Sequence, residues 1–398
     1  MQFNDYFNAA FIQQLMEKQF PQSTITVKEV KHLDVDNSAS ILVVLTAGTT
    51  EKPIGHFGLS VSFNKDGVPL SRNMVMKVKP HGDAIVEMLN SLAGACGPQL
   101  RNVYSQFKKQ TGFQFTHLKE QEIYSKLPSH LTPEIFGLYT DPETNSYIIL
   151  MEYLQEVDLL NSVMQVDSWG DEHIKLALKE IAAWHASSLN ASSEVNLNLW
   201  TDAPSLNYMN SLSPLWNELL ENAAEKFPEL YNVSRYKKLK NCIENIETYW
   251  AELDNHPRTL IHNDFNPRNT CFKRKGNSLK LCAYDWELAT FHLPQYDIVE
   301  FLSFVLNESN YGLAKQYLEY YREQLQRLSN KFDDRLKFEK GFYLSAIDFG
   351  LHRLGMYMMA HSVSPYPFLP RVVNTYFKIL GGFDYESFFS NKKYLEEI

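Results

Sequence analysis

Three side chains that carry oxygen donors fall close together in one stretch of this sequence. Leu260-Ile-His-Asn-Asp264-Phe-Asn-Pro-Arg-Asn269 is followed, sixteen residues after Asn269, by Asp285-Trp286-Glu287. A hairpin, Thr270–Lys273 and Leu279–Tyr284 around Lys275-Gly276-Asn277-Ser278, separates Asn269 from Asp285. Since a hairpin returns its end to its beginning, Asp285 comes back beside Asn269. One carboxylate and one amide then face a common point, a donor set that suits Mg²⁺, a hard cation with oxygen ligands. Asp264, at the front of the same loop, is left free to accept a proton. Phosphoryl transfer from a nucleotide needs such parts: a carboxylate for the attacking hydroxyl, oxygen ligands for the metal on the phosphates, and a cation. A buried polar network is the plainer alternative, but it does not explain why three groups costly to bury should converge.

These residues must be positioned by the rest of the chain. Phe7, Phe11, Leu15 and Met16 recur near helical spacing and predict an amphipathic helix over 5–18. The period then changes to two, with strands expected over 24–33, 40–45, 57–63 and 73–79, the third ending in the turn Asn64-Lys65-Asp66-Gly67. Helical stretches over 83–93, 100–110 and 115–127 precede two more strands, 135–140 and 146–152. Beyond Leu154 the chain reads as helical apart from the hairpin. The pattern predicts an α+β fold: a small lobe with an antiparallel sheet over 1–153, a hinge near 152–158, and a large, mostly helical lobe over 154–398.

The spacing of Asp264, Asn269 and Asp285 resembles the HxDxxxxN…D motif of aminoglycoside phosphotransferases, choline kinases and ecdysteroid kinase-like proteins. It is also similar to the catalytic loop of protein kinases, with His262-Asn263-Asp264 in place of His-Arg-Asp. The resemblance covers most of the chain and implies a bilobal, protein-kinase-like fold. It also implies a small-molecule kinase that moves the γ-phosphate of ATP or GTP, with Mg²⁺, onto a hydroxylated small-molecule acceptor. Asp264 would then be the base, and Asn269 and Asp285 the metal ligands.

Val75-Met-Lys77-Val-Lys79-Pro80 resembles the family's strand-borne lysine, which contacts the α- and β-phosphates. Lys77 and Lys79 share a strand face; Lys77 fits the V-x-K pattern, and Lys79 either reaches the cleft as well or is a solvated strand end. Phe115-Thr-His-Leu-Lys-Glu120-Gln-Glu-Ile-Tyr124 is similar to the family helix that supplies the lysine's partner. Glu120 is the first choice and Glu122 the second; about 200° apart on a helix, they cannot both face it.

Asp36–Ser40 takes the place of a glycine-rich loop, with Ser38 and Ser40 over the phosphates, although it contains no glycine and also reads as an ordinary turn. Ile148–Leu154 resembles the hinge that reads the purine edge, with Glu152 and Leu154 among the nucleotide contacts. His185 and His262 read as scaffold, Asp297 as the cap of the helix that follows, and Glu287 as a group reaching a metal-bound water or the acceptor. More than forty residues separate Lys77 from Glu120, longer than in a typical aminoglycoside kinase. The added helical material reads as a lid, an oligomer contact or decoration.

Composition bounds the partners. A net charge of −9 over 398 residues, with no long basic block, speaks against nucleic acid. The 4 cysteines lack CxxC spacing, which speaks against a zinc site or a disulfide framework. No leader pattern and no run near the ~20 apolar residues of a membrane span are present, so the expectation is a cytoplasmic protein away from membranes. The C-terminal half is rich in aromatics, Trp200, Tyr208, Trp216, Trp250, Tyr357 and Tyr366 among them. They suit an acceptor cage or, more plainly, a core. Asp348, His352 and Arg353, on one helical segment, suit an acceptor contact or a local surface network. A nucleotide-binding regulatory pseudokinase is the rival reading; the intact Lys77, Asp264, Asn269 and Asp285 argue against it.

Overall fold

The computed structural model describes residues 6–35, 53–127, 129–276 and 278–396. The expected strand 40–45 and the loop holding Ser38 and Ser40 lie outside the described residues. The first helix, α1 (Ala9–Gln19), is capped by the Asn8 side chain, which accepts from Phe11 N–H. It lies on a five-stranded antiparallel sheet formed by β1 (Ile25–Leu33), β2 (Gly55–Lys65), β3 (Val68–Lys79), β4 (Ile135–Asp141) and β5 (Ser146–Glu152), in the order β1-β2-β3-β5-β4. β2 and β3 run longer than the sequence pattern suggested because Asp66-Gly67, both at positive φ, close them with a two-residue turn.

Alternation along β3 decides which residues reach the cleft. Met74, Met76 and Val78 face α1 together with Ile148 and Leu150 of β5, while Val75 joins the second, larger core with Ile149 and Met151. Lys77 and Lys79 follow Val75 at period two and so emerge on the cleft side.

The segment between β3 and β4 forms α2 (Gly82–Cys96), α3 (Pro98–Phe107) and α4 (Thr116–Lys126). It does not hang free as a lid. α2 packs on the helix Arg353–Val363 and α3 on the helix Ser213–Lys226, both in the helical lobe. Tyr208 Oη donates to Gln110 O at 2.7 Å, and the Cys96 thiol donates to Met359 O at 3.4 Å. Gly82 anchors the start of α2: its N–H donates to His117 Nδ1 at 3.0 Å, and a Cβ there would lie 1.9 Å from the Gln114 carbonyl oxygen. Backbone cannot step aside as a side-chain tip can. Gly82→Ala is therefore expected to lower stability by about 1–3 kcal/mol, the usual cost of overpacking, in a denaturant titration. An unchanged midpoint would show that α2 is not fixed at this point.

The helical lobe begins with α5 (Asp171–Ser187) and includes α6 (Gln295–Val305), α7 (Arg335–Leu351), α8 (Arg353–Val363) and α9 (Leu369–Leu380). Inside it, β6 (Thr259–Ile261) pairs with β9 (Thr290–His292), and β7 (Thr270–Lys275) pairs with β8 (Ser278–Ala283). The loop 262–269 joins these two small sheets, so its ends are held by two independent pairings. No helix among the described residues is long and apolar enough to cross a membrane.

Candidate active site

The loop 262–269 is shaped by a buried aspartate. Asp297, in the first turn of α6, accepts from His262 N–H at 2.8 Å and Asn263 N–H at 2.9 Å, while His185 Nε2 lies 3.1 Å from it. The expected helix cap is thus corrected. Pro294 holds the cap position, and Asp297 spends both oxygens on the loop instead. Asn263 adopts a left-handed conformation, φ 59°, and its side-chain amide donates to Leu288 O at 2.9 Å. His262 Nε2 lies 3.0 Å from Tyr284 O, tying the loop to the segment after β8 that carries Asp285. A second left-handed residue is Asp285 itself, φ 65°. Backbone conformations of this kind cost of order 1–3 kcal/mol and persist only where surrounding contacts impose them.

Asp264 sits at the centre of four donors. Its Oδ1 accepts from Arg353 Nη2 at 2.8 Å, Tyr357 Oη at 2.5 Å and Asn266 Nδ2 at 3.0 Å; its Oδ2 accepts from Asn269 Nδ2 at 2.8 Å. Burial alone would raise the pKa of this carboxyl, but Arg353 and Arg268 override it and hold the group far below the usual carboxylate range. Asn266 also donates to Glu300 Oε1 at 3.1 Å and so couples Asp264 to a second buried acid, which burial and Asp264 together push well above its ordinary range.

The lysines and their acids form the opposite wall. Lys77 Nζ donates to Glu120 at 2.8 Å and to Asp285 at 2.6 Å. Lys79 Nζ donates to the same Glu120 oxygen at 2.5 Å and lies 2.8 Å from Glu287 Oε2, off the line of a hydrogen bond. Lys79 is buried, so a solvated strand end is excluded for it, and Glu287 faces a lysine. Burial opposes the charge on Lys77, yet Asp285 and Glu120 keep it firmly protonated; burial likewise opposes the charge on Asp285, yet Lys77 pulls that carboxyl down to about 2. Glu122 points elsewhere and accepts from Asn196 N–H at 2.9 Å.

Glu120, Asp285 and Glu287 each offer a carboxylate oxygen, all within 4.8 Å of one another. Two ammonium groups already sit against these three acids, which marks the trio as the lysines' counter-charge.

Between these walls is a cavity of about 590 Å³. Lys77, Glu152, Leu154, Asp264, Asn269 and Asp285 all line it. Asn269 is joined to the segment carrying Asp285, since Tyr284 N–H donates to Asn269 O at 3.0 Å. Glu152 is also tied down: it accepts from Lys273 Nζ at 2.9 Å and from Glu134 N–H at 2.7 Å.

Two residues named from the sequence meet a partner that the sequence did not show. Arg353 and Tyr357 are spaced i, i+4 on α8, which put them on one face but gave no sign that the face meets Asp264. Asp348 proves to belong to a different, buried network with Tyr249, Trp250 and His292, and His352 reaches Thr111 O. Among the C-terminal aromatics, Tyr357 and Tyr366 line the cavity while Trp216, Trp250 and Tyr376 are core.

A search of curated proteins returned no match. Among solved structures, the chain is similar to an ethanolamine kinase of Plasmodium vivax, at 13% identity and a TM-score of 0.46 over 89% of this chain and 81% of that one. It is also similar to an aminoglycoside-3'-phosphotransferase of type VIII, at 13% identity and a TM-score of 0.36 over 80% and 94%. A microcompartment-associated aminopropanol kinase matches at 10% identity and a TM-score of 0.38 over 94% and 95%. At such scores the likeness stops at general arrangement. The sequence profile of the ecdysteroid kinase-like family, by contrast, matches residues 58–333, well over half of the protein, and the chain belongs to that family.

Proposed function

We propose that the protein is a small-molecule kinase that transfers the γ-phosphate of a nucleoside triphosphate to an alcohol. The observation that carries this reading is the convergence of Lys77, Asp264, Asn269 and Asp285 on one cavity from three separate stretches of chain. In the proposed step the acceptor oxygen bonds to the γ-phosphorus as its bond to the β-bridging oxygen breaks. The hydroxyl proton passes to Asp264, and the nucleoside diphosphate leaves.

The hydrogen bonds of Asp264 indicate where the alcohol approaches. Oδ1 already receives three donors, whereas Oδ2 receives only the Asn269 amide. Oδ2 keeps a lone-pair site unused, so it is the atom open to a hydroxyl. So acidic a carboxylic acid is a poor base for early deprotonation, but it suits a loose transition state in which the proton leaves late and the carboxylate chiefly orients the nucleophile.

The donor set also fits magnesium. Asn269 uses its amide end on Asp264, which leaves its carbonyl oxygen for a cation, and Asp285 is ionised with a third of its side chain exposed. Asn269 and Asp285 would hold the ion, which supplies charge neutralisation at the phosphates. Lys77 would contact the phosphates, and Glu152 to Leu154 the base.

The remaining walls speak to the acceptor. Ile85, Met88, Leu89 and Leu92 of α2 face the cavity with Met356 and Ala360 of α8, so the acceptor has an apolar body. The test is release of nucleoside diphosphate, in the presence of Mg²⁺, against alcohols graded in apolar size. Turnover that rises with apolar size supports the reading; nucleotide binding without turnover on any alcohol would favour a regulatory protein instead.

A further inference from the structure

The acids lining the cavity are each paired. Asp264 meets Arg353, Asp285 meets Lys77, Glu287 meets Lys79 and Glu152 meets Lys273, all within 2.9 Å. Arg268 lines the same cavity, and no carboxylate among the described residues lies within ion-pair reach of its guanidinium. Its main chain is fixed on both sides: its N–H donates to Asn266 Oδ1 at 3.0 Å, and its carbonyl accepts from Tyr284 Oη at 2.9 Å. The guanidinium stands 5.9 Å from the centre of the Phe368 ring. Tyr357, Asp264, Tyr366 and Asp285 are the titratable groups that face it. The side chain is only part-buried, so the guanidinium keeps donors open to the cavity, and an anionic ligand there would be its first contacting charge partner.

Position identifies what it completes. Tyr366 and Tyr357 line the cavity from the helical lobe together with Met356 and Ala360, and Lys77 lines it from the sheet. Arg268 and Asp264 come from one loop, four residues apart. We infer that Arg268 forms an anion-binding subsite for the acceptor, and that the acceptor is a hydroxy acid with an apolar body: its hydroxyl at Asp264, its acidic group a few bonds away at Arg268, its body along α2 and α8. This rests on the kinase reading above. A cationic acceptor fits poorly, because it would meet Arg268 and Arg353 with every lining acid already engaged.

The test uses the full chain with Mg²⁺ and ATP and two probes. One is a medium-chain β-hydroxy carboxylic acid, the other the diol in which its carboxylate is reduced to CH₂OH. The acid is expected to have the higher kcat/KM by about ten- to a hundredfold, the worth of a charge-assisted contact. Arg268→Gln should raise KM for the acid far more than for the diol and erase that preference, and Arg268→Lys should retain much of it.

A diol used as well as the acid overturns the subsite. So does an Arg268→Gln variant that slows both probes equally or raises KM for ATP, because the guanidinium would then serve the nucleotide. Calorimetric titration of the acid without nucleotide separates this inference from the one beneath it. Acid binding that is lost in Arg268→Gln while no alcohol is phosphorylated keeps the subsite and sinks the kinase. Phosphorylation of another alcohol with no acid binding does the reverse.

Discussion

Replacing Asp264 by Asn is expected to lower turnover by about three orders of magnitude while leaving nucleotide affinity within about threefold. The first half follows from the open acceptor position on Oδ2. An amide in its place neither takes the proton nor orients the hydroxyl with a full charge. The second half follows from geometry, because Lys77 and Asp285, the groups proposed to serve the phosphates and the metal, pair with each other and make no hydrogen bond to Asp264. The substitution will also weaken the fold, since it leaves Arg353 buried beside a neutral group. Turnover should therefore be measured well below the variant's melting temperature, with nucleotide affinity read by titration in the same buffer. A variant that keeps more than about a tenth of wild-type kcat would remove Asp264 from the chemistry, since general base catalysis contributes far more than that.

How much of this was legible in the sequence depends on the range over which each signal acts. Period-two alternation placed Lys77 and Lys79 on one face of β3, and the structure keeps them there. The two carboxylates of α4 could be separated by helical geometry alone, and Glu120 does face the lysines while Glu122 does not. The hairpin argument brought Asp285 back to Asn269 because a hairpin's closure is local. What failed was long-range. Nothing in the pattern of α8 shows that Arg353 meets a loop eighty-nine residues earlier, because helical spacing reports a face and not its partner.

Asp297 was assigned to its own helix for the same reason: capping is the local use of an aspartate there, and it is the tertiary contact with 262–263 that wins. The long segment between Lys77 and Glu120 was legible as helices but not as a wall of the cavity. Its apolar positions would bury equally well against either lobe.

Arg353→Leu tests the long-range part of the site most sharply. The guanidinium is buried, 2.8 Å from Asp264, and near Glu300, so removing it leaves two buried acids with no cation in contact. Losing one partner of a buried pair typically costs about 3–5 kcal/mol, and a stability loss of that order is expected in denaturant. The consequence for activity has a definite sign. In the wild type, Arg353 holds the Asp264 carboxyl well below its ordinary value of 3.8, so this group stays ionised throughout the acid range and adds stability that is lost only as pH falls below that value. Without Arg353 the burial of Asp264 and the neighbouring Glu300 are opposed only by the weaker pull of Arg268 and the Tyr357 hydrogen bond, and the carboxyl must move up. The acid limb of the rate profile should then rise into the range between about pH 4 and 6, where the wild type is flat with respect to this group, and Arg353→Lys should push it back down. A folded Arg353→Leu protein whose rate stays level down to about pH 4 would show that Arg353 does not set the ionisation of Asp264, and that the two meet only as packing.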